Sequence, residues 1–196
     1  MKKGWIIFLS VLGVLVVTLL SFIGAYNGLV QMDEQVTQAW AQVENVYQRR
    51  LDLIPNLVET VKGYAAHEKS TFIEVTEARS KAAGSISPQV FNDPQKFAQF
   101  QESQTALSSA LSRLMVVVEK YPDLKANENF LSLQAQLEGT ENRISVERGR
   151  FNTAAQIFNT NLRQFPTNVI GGMFAFKTKE YFKSEPEAKS APKVKF

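Results

Sequence analysis

The sequence predicts an all-α protein: an N-terminal transmembrane helix followed by an antiparallel up-and-down bundle of long helices. Two observations carry that expectation. An uncharged apolar run opens the chain, and three later segments repeat apolar residues in the seven-residue pattern of coiled-coil packing. No alternating run of strand type competes with them. The implied organisation is a transmembrane anchor over 1–26, a helical bundle over 27–183 and a disordered tail over 184–196.

The anchor is the plainest element. Residues 5–26, WIIFLSVLGVLVVTLLSFIGAY, carry no charge, and none occurs between Lys3 and Asp33. As a helix this run spans about 33 Å, close to the ~30 Å hydrocarbon core of a bilayer. Trp5 and Tyr26 mark its ends, where amphipathic rings favour the interface. A signal-peptide core is usually only about 7–15 residues long. The best cleavage site here, Ile23-Gly24-Ala25, also begins with a large residue. Lys2 and Lys3 precede the run, whereas Asp33 and Glu34 are the first charges after it. The positive-inside rule then predicts a single-pass protein of the inner membrane, N-terminus in the cytoplasm and bundle outside.

The first repeat comprises Leu29, Met32, Val36, Ala39, Val43, Val46, Leu53 and Leu57, with Arg50 interrupting it. Beyond Leu57 the stripe shifts phase to Val61, Ala65, Phe72, Val75 and Ala82, which reads as a stutter in one long helix over 27–83. The second repeat is Phe97, Phe100, Gln104, Leu107, Leu111, Leu114, Val118 and Tyr121. In the third, Phe130, Leu137, Ile144, Phe151, Phe158 and Phe165 recur every seven residues. Punctuation agrees. The segment Gly84-Ser85-Ile86-Ser87-Pro88 ends the first helix, Asp93-Pro94 caps the second, and Tyr121-Pro122 and Phe165-Pro166 close the second and third.

Pro55 lies inside the first repeat. It removes an amide donor and crowds the Leu51 carbonyl, at about 3 kcal/mol in a helix interior. No cap or glycine precedes it, and the stripe passes through it, so the helix is expected to kink and continue. Its polar neighbours form a predicted network: Arg49, Arg50, Asp52 and Asn56 around the freed carbonyl, Glu141 or Glu147 opposite Arg50, and Arg148 opposite Asp52 or Glu59.

Two segments are candidate contact surfaces. A first helix over 27–83 would be about 85 Å long and a second over 94–121 about 42 Å. The seam Leu29, Met32, Val36, Val43 and Val46 is then left for self-association or another membrane protein, unless the rest of the chain covers it. Residues 169–176 are apolar but too short to cross a bilayer, and Lys177, Lys179, Tyr181, Phe182 and Lys183 follow. Phe174, Phe176, Lys177, Tyr181 and Phe182 are therefore candidate contacts with a membrane surface.

Composition limits the chemistry. The chain has no cysteine and one histidine, which excludes disulfides, thiolate metal sites, cysteine nucleophiles and a lipid-bearing cysteine. His67 has no second histidine four residues away, and no Glu-x-x-His or Gly-x-Ser-x-Gly occurs. The net charge of +3 resides in the segment from Lys177 to the end, so nucleic acid is not an expected partner. No catalytic residue, metal or cofactor is predicted, and the lipid bilayer is the expected partner.

Three stretches in order, RRLDLIPNLVETVKGYAAHEK, LSRLMVVVEKYPDLKANENFLSLQAQLEGTENRI and RGRFNTAAQIFNTNLRQFPTNVIGGMFAFKTKEYF, resemble the LemA family. The resemblance covers about residues 27–183. The periodicity gives three to four long helices; the resemblance implies an antiparallel bundle of about four helices on a membrane anchor, hence either a break in the long first helix or a short helix after Phe165. It implies a bacterial protein with no established enzymatic activity, and it supplies no catalytic residue. The expected role is a non-enzymatic scaffold or interaction module of the cell envelope; the alternative is a lipid-binding or membrane-remodelling bundle.

Overall fold

The computed structural model of the chain describes residues 2–183; the tail predicted over 184–196 lies outside the described residues. The elements run α1 (Lys2–Lys62), α2 (Lys69–Ser85), a 3-10 turn (Val90–Asn92), α3 (Pro94–Val118), α4 (Pro122–Lys125), α5 (Glu128–Arg163) and α6 (Thr167–Met173), with no strand among the described residues.

The apolar run and the first repeat form one helix, α1, of 61 residues that stays helical through Pro55. Its N-terminal part is the transmembrane helix, and no residue in the window of highest hydropathy is buried by the rest of the chain. The expected continuation to residue 83 is corrected: α1 stops at Lys62, and the chain reverses over 63–68. What reads as a stutter is a change of helix. The phase-shifted residues Phe72, Val75, Ala78 and Ala82 are the buried face of α2, which folds back along α1. Reversal settles the length mismatch. Residues 27–62 of α1 and the 36 residues of α5 each span about 54 Å, and they pair along their length.

Local signals set the other boundaries. The Asp93 side chain accepts from the Gln95 and Lys96 amides, with Pro94 at the first helical position of α3. The Asn127 side chain accepts from the Phe130 amide and starts α5. Beyond Pro166, α6 packs tightly on α5: a Cβ at Gly171 would collide with Leu162 Cδ1. The resemblance implies one of two additions, and the structure has both: the break after Lys62 and the short helix after Phe165.

The core has two parts. A distal cluster, far from the membrane, joins Leu51, Leu57, Val61, Phe72, Leu107, Leu114 and Phe130 from α1, α2, α3 and α5. A proximal cluster joins Trp40, Tyr47, Phe97, Phe100, Phe151 and Phe158. The buried polar residues Arg50 and Gln104 lie at the boundary. At 17 residues, α2 is too short to reach the proximal half. Its place there is taken by the 3-10 turn and by a strap, residues 176–183, that returns from α6 along the bundle after a turn at 174–175.

Candidate functional site

The strap is held like a bound peptide. Extended backbone between helices has no ladder partner, so its amide and carbonyl groups need side-chain partners. Two asparagines on α5, seven residues apart and thus on one face, supply them. Asn159 accepts from the Lys179 amide at 2.8 Å and donates to the Lys179 carbonyl at 2.9 Å. Asn152 does the same for Phe182, at 2.9 Å each way. Between them, the Glu180 amide donates to the Phe91 carbonyl at 3.0 Å. A side-chain amide matches a peptide group in donor and acceptor spacing, so each asparagine pairs with one residue as a strand would.

Two side chains of the strap point inward. Phe182 sits among Trp40, Phe97, Phe100 and Phe151, with ring centroids 5.0–6.2 Å away. The Arg148 guanidinium lies 4.6 Å from the same ring. The Lys179 ammonium is 5 % exposed. It meets Asp33 Oδ1 at 2.5 Å and Asn92 Oδ1 at 2.8 Å, over the faces of Phe91 and Phe158. Burying an ammonium is costly unless it is paired and hydrogen-bonded, and here it is both.

The polar layer between the two cores centres on Arg50. Its Nε lies 2.8 Å from Glu141 Oε1, and its Nη2 donates to Ser108 Oγ at 2.6 Å. Burial pulls its pKa below the ordinary arginine value, and the Glu141 carboxylate acts in the opposite direction. Of the two candidate partners of Arg50, Glu141 and Glu147, the structure places Glu141 beside it. The remaining members of the network are not brought together. Arg49, Asp52, Pro55 and Asn56 are exposed, and Asp52 accepts from Gln48 instead. Arg148 serves the strap, donating to the Lys183 carbonyl at 3.3 Å.

The carbonyl freed by Pro55 finds its partner on α2. Arg79 Nε donates to the Leu51 carbonyl at 2.8 Å. No sequence signal marks Arg79, because α2 is placed beside α1 only by the reversal at 63–68. Loss of this bond strands a carbonyl, at about 1–3 kcal/mol. Arg79→Ala is therefore expected to lower the melting temperature. In a Pro55→Ala background, where residue 55 regains an amide for Leu51, the same change should cost much less. Equal costs in both backgrounds, by thermal denaturation, would refute the assignment.

The candidate contact surfaces are revised. In the seam, Leu29, Val36 and Val43 are buried, while Met32 and Val46 pack partly buried on the proximal core. Of the two readings of the seam, the structure shows the covered one: α5, α6 and the strap's aromatic residues pack on it, so Leu29, Met32, Val36, Val43 and Val46 are not left open to a partner. Of the residues assigned to a membrane surface, Phe182 is buried, and Phe176 packs partly buried against Tyr26 and Phe158. The Tyr181 hydroxyl accepts from Asn159 Nδ2 at 2.8 Å while the ring keeps an exposed edge. Lys177 is exposed, and Phe174 is half-exposed against Tyr26. His67 is exposed in the turn between α1 and α2. Glu74 is engaged by Arg113. Among the described residues, no group of three or more His, Asp or Glu is placed to hold a metal.

With this geometry in view, comparison with known proteins is informative. The profile of the LemA family matches residues 39–196. The chain belongs to the LemA family. It is similar to magnetosome protein MamQ 2 of Paramagnetospirillum magneticum, at 28% identity over 178 residues, covering 82% of this chain and 65% of that protein. It is similar to magnetosome protein MamQ of Magnetospirillum gryphiswaldense, at 27% over 196 residues, covering 89% and 72%. The protein LemA of Metamycoplasma hominis is 24% identical over 149 residues, covering 76% and 64%. This LemA-family chain thus spans about two thirds of the length of the relatives it matches. The match begins at Ala39 and takes in Asn152 and Asn159, which hold the strap, and the Arg50–Glu141 pair.

Proposed function

We propose that the chain is a non-enzymatic, single-pass scaffold or interaction module of the bacterial cell envelope. The observation that carries this reading is α1 itself. One helix of 61 residues serves as both membrane anchor and central strut of the bundle. No linker separates the two, so the bundle stands at a fixed attitude to the bilayer. A flexible tether would suit a domain that searches; a rigid mount suits one that presents a surface. The order of charges at the N-terminus supports a cytoplasmic N-terminus and an extracytoplasmic bundle on the inner membrane. The partner is another membrane protein or a second copy, met on the outer faces of the bundle now that the Leu29–Val43 seam is filled.

The test is cross-linking of the full-length protein in intact cells, read by mass spectrometry. Lys62, Lys69, Lys81, Lys120 and Lys125 are exposed on the bundle. Reproducible links from them to another membrane protein or to a second copy are expected. Links confined to a single chain would overturn the scaffold reading.

A further inference from the structure

The uncharged part of α1 is longer than a hydrocarbon core requires. The stretch between Lys3 and Asp33 spans about 44 Å as a helix, against ~30 Å of hydrocarbon. With Trp5 at one interface, the hydrocarbon ends near Tyr26, and residues 26–32 lie at headgroup depth. The bundle closes on the helix at this level. Phe22, Ala25 and Tyr26 pack on the proximal core. The Phe174 ring lies 4.6 Å from that of Tyr26 and 6.3 Å from that of Phe22. Since Phe22 belongs to the membrane run, Phe174 is held at membrane depth.

The corner between α5 and α6 carries apolar residues that the protein leaves uncovered. Phe165 is 84% exposed, Met173 68%, Val169 52% and Phe174 50%. Elsewhere on the bundle, exposed apolar side chains such as Ile73, Val116 and Val146 are widely spaced in the sequence, which is ordinary for a surface. The charges flanking the corner are of one sign. No Asp or Glu occurs between Glu147 and Glu180, while Arg163 and Lys177 are exposed on either side.

We infer that the α5–α6 corner is a second membrane contact. Phe165, Val169, Met173 and Phe174 enter the boundary between headgroups and acyl chains in the leaflet on the bundle's side. Arg163 and Lys177 face anionic headgroups. Continuity with the transmembrane helix identifies the occupant as lipid: the apolar corner sits where the bilayer already is. Two attachments, one spanning and one interfacial, fix the rotation of the bundle about the membrane normal as well as its tilt. This inference does not depend on the scaffold reading.

The chain has no cysteine, so single labels are clean. The variants are Phe165→Cys, Met173→Cys and, as a water-facing reference, Ile73→Cys. Each replaces an exposed side chain and leaves the core intact. Full-length protein carrying a nitroxide at each site is reconstituted in vesicles of phosphatidylcholine with phosphatidylglycerol. Relaxation by dissolved oxygen and by a water-soluble nickel chelate then reports depth. At 165 and 173, nickel accessibility is expected to be several-fold lower than at 73, with oxygen accessibility higher. Nickel accessibility at 165 and 173 equal to that at 73 would overturn the inference. Low accessibility to both reagents with dipolar broadening between labels would also overturn it, since a second copy would then cover the corner.

Discussion

Phe182→Ala is expected to cost about 3–5 kcal/mol, the scale of a buried aromatic truncation. Phe182 is 7 % exposed and fills a box of aromatic rings drawn from α1, α3 and α5. α2 ends before this level, so only the strap and the 3-10 turn with Phe91 cover these elements there. Removing the ring opens a cavity and loosens the last inward anchor of the strap. Beyond the buried Lys179, only the hydrogen bonds from Asn152 then hold the end of the strap. Local opening should accompany the fall in global stability. Trypsin reports it directly, since Lys179 is buried in the intact protein and Phe182→Ala should make it a cleavage site. Tyr181→Ala is the contrasting variant. That side chain is 36% exposed and shares one hydrogen bond with Asn159, so its loss should cost about 1 kcal/mol. If Phe182→Ala melts with the parent and stays uncut at Lys179, the strap is not a structural member of the bundle.

The sequence makes the helices legible and leaves the strap obscure, for a physical reason. A seven-residue apolar repeat reports a helix face that meets one neighbour. Phe130, Leu137, Ile144, Phe151 and Phe158 are read correctly because the long pairing of α5 with α1 dominates that face. In α1 the reading is narrower than the truth. Trp40 and Tyr47 are core residues outside the predicted stripe, because α1 meets α5 on one side and α3 with the strap on the other. A helix with two neighbours buries a wider face than an a/d seam. Phe165 extends the repeat in sequence but is the most exposed of the series, because α5 ends at Arg163. The groove did leave a mark. The pair Phe-Asn occurs at 91–92, 151–152 and 158–159, and all three contact the strap. Spacing alone does not reveal this, since Asn152 and Asn159 bind backbone, which carries no sequence signature.

Glu141→Ala should destabilise the protein more than Arg50→Met, although arginine is the buried partner and the larger side chain. The asymmetry follows from which group is left behind. The Arg50 side chain is 3% exposed and the Glu141 side chain 43%. Deleting the glutamate leaves a guanidinium between two apolar clusters without its carboxylate, while the bond to Ser108 stays. An uncompensated buried charge costs about 3–5 kcal/mol, and the lower end applies because water reaches the Glu141 side of the layer. Deleting the arginine leaves a carboxylate that solvent can hydrate. Methionine keeps much of the buried volume, so Arg50→Met should cost less than about 2 kcal/mol. The double variant should then lie close to Arg50→Met alone, because the stranded charge is gone. Denaturation of the four proteins in one detergent closes the cycle. If Arg50→Met is the more destabilising single change, the pair contributes net stability that solvation of Glu141 does not replace. The layer would then be a source of strength in the bundle. In the expected order, its role is to match Arg50 on α1 with Glu141 on α5 and so set the register of the two longest helices, at little net gain in stability.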